Sequence, residues 1–481
     1  MRSLVWFRGK ELRLRDHAAL HAAARDSREL IPVFVLSPEY FAPGGQERAP
    51  NRLRFVIESL RELAAGIEAR GSRLLVVRGP AAEVIPQLAS ELRVDRVLAI
   101  RSGEPRSRAR DERVRAALQV PFETFVQETL LDPDSVRTNA GGVFRVYGPF
   151  SRACGARLTE PSLSPAPQRL PTLPAAKQLS AAARFELPLP TLSGVGLTED
   201  PRVQRGGERA AQARLKAFLS GPIGQYEHDR DRMDRPGTSR LSADLRFGTL
   251  SVRSVWAAVA KQPEDVRGRY ALELLWREFA HYTLWHDPDV LSHPFRPEFR
   301  GFPWRGPNAD FEAWWQGRTG YPVVDAAARQ LLAEGFVHNR ARMISASFLT
   351  KHLLVHYQHG EAHFLRYLTD GDLAQNNMGW QWSAGCGCDA QPYFRVFNPV
   401  TQGERFDPEG AYVRRYVPEL ARLPARYIHA PWLAPANVLA QAGVRLGGTY
   451  PEPIVEHTSA RQRFLLVASE HLKRPGARAH A

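Results

Sequence analysis

Five short apolar segments, separated by segments with helical periodicity, occupy the first 131 residues and restrict the possible folds strongly. The segments predicted as buried strands are Leu4–Phe7, Leu30–Leu36, Arg73–Val77, Arg96–Ile100 and Phe122–Val126. The segments predicted as helices between them are Asn51–Gly71, Ala81–Leu92 and Arg108–Leu118. This alternation predicts a doubly wound, Rossmann-like parallel sheet, which binds ligands at the carboxyl ends of its strands. No GxGxxG follows the first strand, so the dinucleotide fingerprint is absent.

The rest of the chain divides by composition into a linker and a helical domain. Residues 132–204 are rich in proline, serine and threonine, which favours an extended interdomain linker over regular helix. Residues 205–481 carry apolar residues at helical spacing and are predicted to form an all-α domain. The predicted helices are Glu208–Leu219, Val252–Lys261, Tyr270–Leu284, Ala309–Trp315, Val323–Glu334, Arg340–Tyr357, Gly360–Thr369 and Ser459–His471.

Charge and cysteine content limit the partners and the compartment. The 481 residues carry a formal net charge of +14, which permits a polyanionic partner but also occurs in arginine-rich chains without one. The three cysteines, Cys154, Cys386 and Cys388, argue against a disulfide framework, and we expect packing roles rather than a metal site. The charged N-terminus lacks a signal h-region and the chain lacks a long apolar run, which favours a cytoplasmic protein without a membrane span.

The segment Asp370–Pro399 combines polar and aromatic groups at high density. It contains two aspartates (Asp370, Asp372), tandem amides (Asn376, Asn377) and two tryptophans (Trp380, Trp382). Glycine and cysteine follow Trp382, so the segment is predicted to be a helix that enters irregular structure. Such side chains are unusual in a helix core but suit the wall of a site for a large planar ligand.

Seven motifs in order resemble the DNA photolyase/cryptochrome family, most closely the class I photolyases of cyclobutane pyrimidine dimers. They are TSRLS (238–242), ELLWREF (273–279), GYPVVDAA (320–327), HNRARM (338–343), DGDLAQNNMGWQW (370–382), YFRVFNP (393–399) and FDPEGAYVRRYVPEL (406–420). The resemblance covers nearly the whole chain. It implies an N-terminal antenna domain (1–131), a linker (132–204) and a C-terminal FAD- and DNA-binding domain (205–481).

The resemblance also implies FAD as cofactor and identifies the residues that would bind it. These are Tyr226, Thr238, Ser239, Leu241, Ser242, Arg342, Asp370, Asp372 and Asn376. Hydroxyls and backbone amides beside a helix start suit a pyrophosphate, although Thr238–Ser242 taken alone is more often a plain helix cap. Family members pair Arg342 with Asp370 near the flavin, a pair that would otherwise be a buried structural ion pair. Asn376 matches the residue that faces flavin N5, where plant and animal cryptochromes have Asp and Cys.

The implied reaction is light-driven repair by an enzyme, a deoxyribodipyrimidine photolyase. Photoexcited reduced FAD gives one electron to a flipped-out dimer, whose two linking bonds then split. The implied substrate- and DNA-binding residues are Arg230, Glu273, Trp276, Asn339, Arg340, Met343 and Trp382. Six–four photolyases have histidines at positions 339 and 343, so the sequence favours cyclobutane dimers. The alternatives are a cryptochrome photoreceptor, disfavoured by the short tail from His471, and a six–four photolyase.

The resemblance also implies a second set of residues, which would carry electrons to the resting flavin when light reduces it. Trp380 and Trp304 match the inner and outer members of the family's tryptophan chain, with Tyr357 between them. Oxidation of tyrosine usually involves loss of a proton, so we expect slower photoreduction with repair intact. The alternative is that Tyr357 only packs and another aromatic residue bridges the gap. Glu273 and Asn376, with this chain, complete the expected catalytic set.

The opening of the chain departs from the family pattern and bears on the antenna chromophore. Gly9–Glu11 holds one extra residue, and His17 replaces the usual Asn. The Asn-Glu pair of folate-binding members is replaced by Arg106-Ser107. A deazaflavin is therefore favoured over folate, with a flavin or no second chromophore left open. We expect a monomer that binds UV-damaged DNA without sequence preference, and hence associates with the nucleoid.

Overall fold

The computed structural model of the chain describes residues 1–42, 44–45 and 48–473. The expectation about the tail from His471 therefore falls largely outside the described residues. None of the helices in these ranges combines the length and the apolar character that a membrane crossing requires.

The strands are β1 (Arg2–Phe7), β2 (Glu29–Leu36), β3 (Leu75–Arg78), β4 (Arg96–Ile100) and β5 (Phe122–Phe125). The first helices are α1 (Ala18–Asp26), α2 (Pro38–Phe41), α3 (Pro50–Glu68), α4 (Ala81–Glu91), α5 (Pro105–Ala117), α6 (Tyr147–Gly155), α7 (Ala176–Leu179), α8 (Glu208–Leu219), α9 (Tyr226–Asp229), α10 (Ser242–Phe247) and α11 (Val252–Ala260). The remaining helices are α12 (Glu264–His286), α13 (Ala309–Gln316), α14 (Pro322–Glu334), α15 (Asn339–Ser347), α16 (Tyr357–Tyr367), α17 (Leu373–Ala384), α18 (Pro399–Phe406), α19 (Ala411–Tyr416), α20 (Ala425–Ile428), α21 (Ala436–Ala442) and α22 (His457–Leu472).

The five strands form a parallel sheet in the order β3-β2-β1-β4-β5, which confirms the predicted doubly wound sheet. The strand order reverses between β1 and β4, so the carboxyl ends of these two strands flank the switch point. Apolar clusters cover both faces of the sheet. This double burial explains why the strands read as continuous apolar runs rather than as alternating patterns.

The described chain forms two compact units. We call the first the sheet unit; it comprises Met1–Gly224, Ser239–His286 and Thr369–Gly371. We call the second the helical unit; it comprises Gln225–Thr238, Asp287–Leu368 and the described residues from Asp372 onward. The combination of a parallel sheet with a helical part confirms the predicted fold class. The domain limits predicted at residues 131 and 204 stay predictions.

One predicted helix of the helical unit is wrong. The sequence predicts a single helix over residues 340–357, but α15 ends at Ser347 and a π-helical turn, Phe348–His352, follows it. Leu354 has a left-handed φ of 57°, and Val355 pairs with residue 305 as an isolated β-bridge. Residues 353–355, which follow the π-helical turn, are buried and apolar like the helices around them. Their apolar side chains therefore continued the helical spacing in the sequence, which is why a single helix was predicted.

The segment 132–204 contains a helix, α6, that its proline content did not predict. Phe150 of α6 packs on α12, with ring centroids 5.0 Å from Phe279 and 4.8 Å from Tyr282. Phe144 just before α6 contacts the same cluster, 6.1 Å from Phe150. An aromatic cluster therefore fixes this part of the segment within the sheet unit.

Candidate active site

Helix α12 carries two of the predicted substrate residues on one face of the sheet unit. Glu273 and Trp276 lie three residues apart, close to one helical turn, and both side chains are partly exposed. Glu273 pairs with Arg269 of the same helix at 3.6 Å. Tyr147 stacks face to face on Trp276, with ring centroids 3.6 Å apart and planes at 8°. This face therefore presents a carboxylate and an indole beside each other.

The predicted phosphate-binding residues Ser239 and Leu241 lie in the turn before α10, and Ser242 is the first residue of that helix. Ser239 Oγ accepts hydrogen bonds from the Leu241 backbone N–H at 3.3 Å and from the Tyr270 hydroxyl at 3.0 Å. Arg240 within the turn has a left-handed φ of 55°, and Ser242 begins the helix as predicted. Because Tyr270 lies on α12 one turn before Glu273, the same helix fixes the turn and presents the substrate residues.

Helix α17 presents the predicted flavin-facing amide of the helical unit. Asp372 caps the helix by accepting a hydrogen bond from the Gln375 N–H at 3.0 Å. Asn376 Nδ2 donates to the backbone oxygen of Glu361 at 3.1 Å, and Asn377 Nδ2 donates to the Glu361 carboxylate at 3.1 Å. Burial raises the pKa of Glu361 to about 7 although the Asn377 hydrogen bond opposes the shift. The helix ends before Gly385 (φ 90°), so the predicted break after Trp382 is confirmed.

Helix α15 begins at Asn339, one residue before the predicted start at Arg340, and places Asn339 and Met343 one turn apart. Asn339 Nδ2 lies 3.7 Å from Met343 Sδ. Arg342 Nε donates to the backbone oxygen of Val337 at 2.8 Å, which holds the guanidinium against the start of its own helix. The expected pairing of Arg342 with Asp370 stays a prediction.

Two predicted arginines lie beside Asp231 in the helical unit. Arg340 forms an ion pair with Asp231 at 2.8 Å, and Arg230 lies 3.7 Å from the same carboxylate. The Arg230 guanidinium lies 5.9 Å from the ring centroid of Tyr226. One carboxylate therefore organises two cations beside an expected cofactor residue.

The residues of the expected electron chain lie close together in the helical unit. Trp304 contacts His356 edge to face at 6.0 Å, and His356 stacks on Tyr357 at 4.8 Å. A Cβ on Gly360 would lie 2.2 Å from the Trp380 ring, so only glycine allows the indole to pack this closely on α16, one turn from Tyr357. Tyr357 is fully buried, and its hydroxyl has no hydrogen-bond partner within the described ranges.

The sequence interpretation missed four residues that support the site. They are Tyr147, Tyr270, Glu361 and Trp314, the last with its ring centroid 5.9 Å from Trp380. The three-residue spacing from Tyr270 to Glu273 was a usable signal for one helical face. Tyr147 and Glu361 are distant in sequence from the groups they hold, and no local pattern connects them.

The remaining predicted residues have the following locations. Asp370 is buried in the Thr369–Gly371 segment of the sheet unit. Trp382 lies partly exposed on α17, and Thr238 is the last residue of its segment of the helical unit. Cys154, Cys386 and Cys388 are buried free thiols.

The side chains present fit FAD by their chemistry. Thr238, Ser239 and Ser242 are partly exposed and offer hydroxyl donors for an anionic diphosphate. The Asn376 side-chain oxygen carries no hydrogen bond to any described residue, so the amide retains an acceptor for a bound ligand.

Two family models match the chain. The model described as DNA photolyase matches residues 3–172, and that described as the FAD binding domain of DNA photolyase matches residues 270–470. A deoxyribodipyrimidine photo-lyase of Thermus thermophilus is 40% identical, with 97% of this chain and 98% of the relative covered. That of Escherichia coli is 38% identical, with 96% and 97% covered.

Solved structures agree with these relatives. A bacterial class III photolyase from Agrobacterium tumefaciens superposes with a TM-score of 0.89 at 38% identity, covering 98% of both chains. A cryptochrome from Synechocystis gives a TM-score of 0.87 at 29% identity, covering 97% of this chain and 99% of the other. An archaeal photolyase from Sulfolobus tokodaii with two FAD molecules gives 0.82 at 28% identity, covering 98% and 100%. The family resemblance is confirmed, and this chain belongs to the DNA photolyase family.

Proposed function

We propose that this chain is a deoxyribodipyrimidine photolyase that repairs cyclobutane pyrimidine dimers in DNA with light and FAD. The observation that carries the proposal is the face of α12. Glu273 and Trp276 lie one turn apart on it, and Tyr270 ties the same helix to the hydroxyl turn at Ser239. A carboxyl group beside an indole suits a flipped pyrimidine, because the ring can stack while its polar edge forms hydrogen bonds.

FAD, when bound in its reduced form, supplies the electron after excitation by light. The residues proposed to hold it are Tyr226, Thr238, Ser239, Leu241, Ser242, Arg342, Asp370, Asp372 and Asn376. The hydroxyls would bind the diphosphate, and the neutral amide of Asn376 adds no negative charge beside the flavin ring. The hydrogen bonds from Asn376 and Asn377 to Glu361 join α17 to α16. The protein therefore fixes the orientation of the Asn376 side chain, and the ligand is not needed to do so.

The dimer is proposed to bind to Glu273, Trp276, Asn339, Met343 and Trp382, with Arg230 and Arg340 contacting phosphates. Asn339 and Met343 lie against each other and neither titrates near neutral pH. This pair lacks the proton-transfer histidines expected for a six–four substrate, which favours the cyclobutane dimer. Phosphate contacts through arginine give sequence-independent, salt-dependent binding.

A dimer-containing thymine oligonucleotide tests the proposal directly. The chemically reduced holoprotein is expected to restore thymine absorbance under near-UV or blue light and to leave it unchanged in the dark. Trp276→Ala serves as the matched control, because it should retain FAD and lose affinity for the dimer. A reduced, FAD-loaded parent that restores nothing under light would refute repair of this substrate. A six–four oligonucleotide then separates the six–four alternative from a cryptochrome.

A second chromophore in the sheet unit, a deazaflavin rather than folate, is part of the proposal. The unit has the open parallel sheet that binds ligands at its strand ends. The archaeal relative from Sulfolobus tokodaii contains two FAD molecules, so a flavin stays the competing assignment. Mass spectrometry of chromophores released from the purified protein distinguishes deazaflavin, folate and a second flavin.

The proposed assembly is a cytoplasmic monomer that associates with the nucleoid through DNA. The net charge of +14 supports binding to a polyanion. Size-exclusion chromatography with light scattering tests the monomer, and a microscope image of the fluorescently labelled chain tests the association with the nucleoid.

A further inference from the structure

Tyr147 covers one face of Trp276 in the sheet unit. The two rings stack with centroids 3.6 Å apart and planes at 8°, which is closer to parallel than the other aromatic contacts of α12. At this separation no third ring fits between them, because stacked aromatic planes are already in van der Waals contact. A base that stacks on Trp276 must therefore use the opposite face of the indole.

Tyr147 is itself held in place by two contacts and by the anchoring of its helix. Its hydroxyl donates to the backbone oxygen of Leu272 at 2.8 Å, and its ring meets Phe279 edge to face at 5.9 Å. It is the first residue of α6, which Phe150 anchors to α12. Burial and the Glu273 carboxylate raise the pKa of the Tyr147 hydroxyl, which keeps it a neutral donor. The ring is a fixed wall rather than a loose surface group.

We propose that Tyr147 is a positioning residue for the damaged DNA substrate. By backing Trp276, it fixes the plane of the indole and leaves a single face on which a pyrimidine ring of the dimer stacks. The inference rests on the proposed function, since it assigns Trp276 to the dimer. Its physical basis is preorganisation: an indole held before binding loses less rotamer freedom when the base arrives.

Affinities for a dimer-containing and an undamaged oligonucleotide, measured with the FAD-loaded protein, test the assignment. Tyr147→Leu is expected to raise the dissociation constant for the dimer about tenfold, the equivalent of one lost aromatic stack. Affinity for undamaged DNA and the repair rate at saturating dimer should stay unchanged. Tyr147→Phe keeps the ring and should restore affinity to within about twofold of the parent.

Phe144→Leu is the matched control. Phe144 belongs to the same aromatic cluster through Phe150 and Tyr282 but has no ring contact with Trp276 among the described residues. It should bind both oligonucleotides like the parent.

The inference is overturned if Tyr147→Leu binds the dimer as well as the parent does. Tighter binding would show that Tyr147 occupies the place of the base. Equal loss of affinity for both oligonucleotides, or loss of FAD, would assign Tyr147 to the general architecture of the unit. If the parent itself fails to repair or to prefer the dimer, the proposed function has failed.

Discussion

Replacing Glu361 by glutamine tests how the helical unit supports the flavin-facing amide. Glu361 is 6% exposed, and burial raises the pKa of its carboxyl group from 4.5 to about 7. Each pKa unit corresponds to about 1.4 kcal/mol, so the shift amounts to about 3 kcal/mol. Between about pH 4.5 and 7 the folded state binds more protons than the unfolded state, so the free energy of unfolding falls as pH rises.

Glu361→Gln removes this penalty and retains an oxygen that can accept from Asn377. The variant should match the parent near pH 4.5 and exceed its stability at pH 8 by up to about 3 kcal/mol. Asn376 keeps its partner, because it donates to the backbone oxygen of residue 361 rather than to the carboxylate. FAD content should therefore not change.

Hydrogen exchange followed by mass spectrometry on peptides of α16 and α17 measures the local free energy of opening. The exchange rates are corrected for their intrinsic dependence on pH, and FAD is kept in fixed excess because a bound ligand stabilises the folded state. Glu404→Gln on α18 is the control, since Glu404 is exposed and has no ion pair within the described residues. Equal protection of parent and Glu361→Gln at pH 8 would refute the reasoning, as would a gain shared by Glu404→Gln.

Three further substitutions separate substrate, electron-chain and phosphate roles. Trp276→Ala should weaken binding of a dimer-containing oligonucleotide by about 1–3 kcal/mol in fluorescence anisotropy, with FAD retained; release of FAD would show that the residue is misplaced. Tyr357→Phe removes a buried hydroxyl without a partner in the described chain and should raise stability by about 1 kcal/mol, read as a higher melting temperature; a lower one would reveal an ordered water. Arg340→Ala should weaken binding to damaged and undamaged DNA equally and lower the salt slope by about 1; a loss confined to damaged DNA would place Arg340 at the dimer.

The parts of the fold that follow from local sequence were predicted. The strands are runs of apolar residues buried on both faces of the sheet. Such runs can be recognised from the local sequence alone, because both faces of each strand must be apolar. Helix α17 was predicted together with its end, because Gly385 provides the left-handed residue that closes a helix. The start of α15 was predicted one residue late, at Arg340 rather than Asn339, where the His338 side chain caps the helix by accepting from the Arg340 N–H.

The parts that depend on distant contacts were not predicted. Helix α6 lies in a proline-rich segment and is held by Phe150 against α12, a contact between residues far apart in sequence. After the break at Ser347, Val355 forms a bridge to residue 305, a contact between residues far apart in sequence. The stack of Tyr147 on Trp276 is of the same kind, which is why the sequence identified the indole and not its support.

Helix α12 combines buried residues that anchor the sheet unit with partly exposed residues expected to contact the substrate. Its C-terminal half, including Phe279 and Tyr282, is buried and anchors the aromatic cluster. Near its middle, Glu273 and Trp276 are partly exposed, and their contacts with Arg269 and Tyr147 hold them without burying them fully. A partly exposed indole contributes less to stability than a buried one. Substitutions at Phe279 or Tyr282 should therefore reduce folding, whereas those at Glu273 or Trp276 should change binding alone.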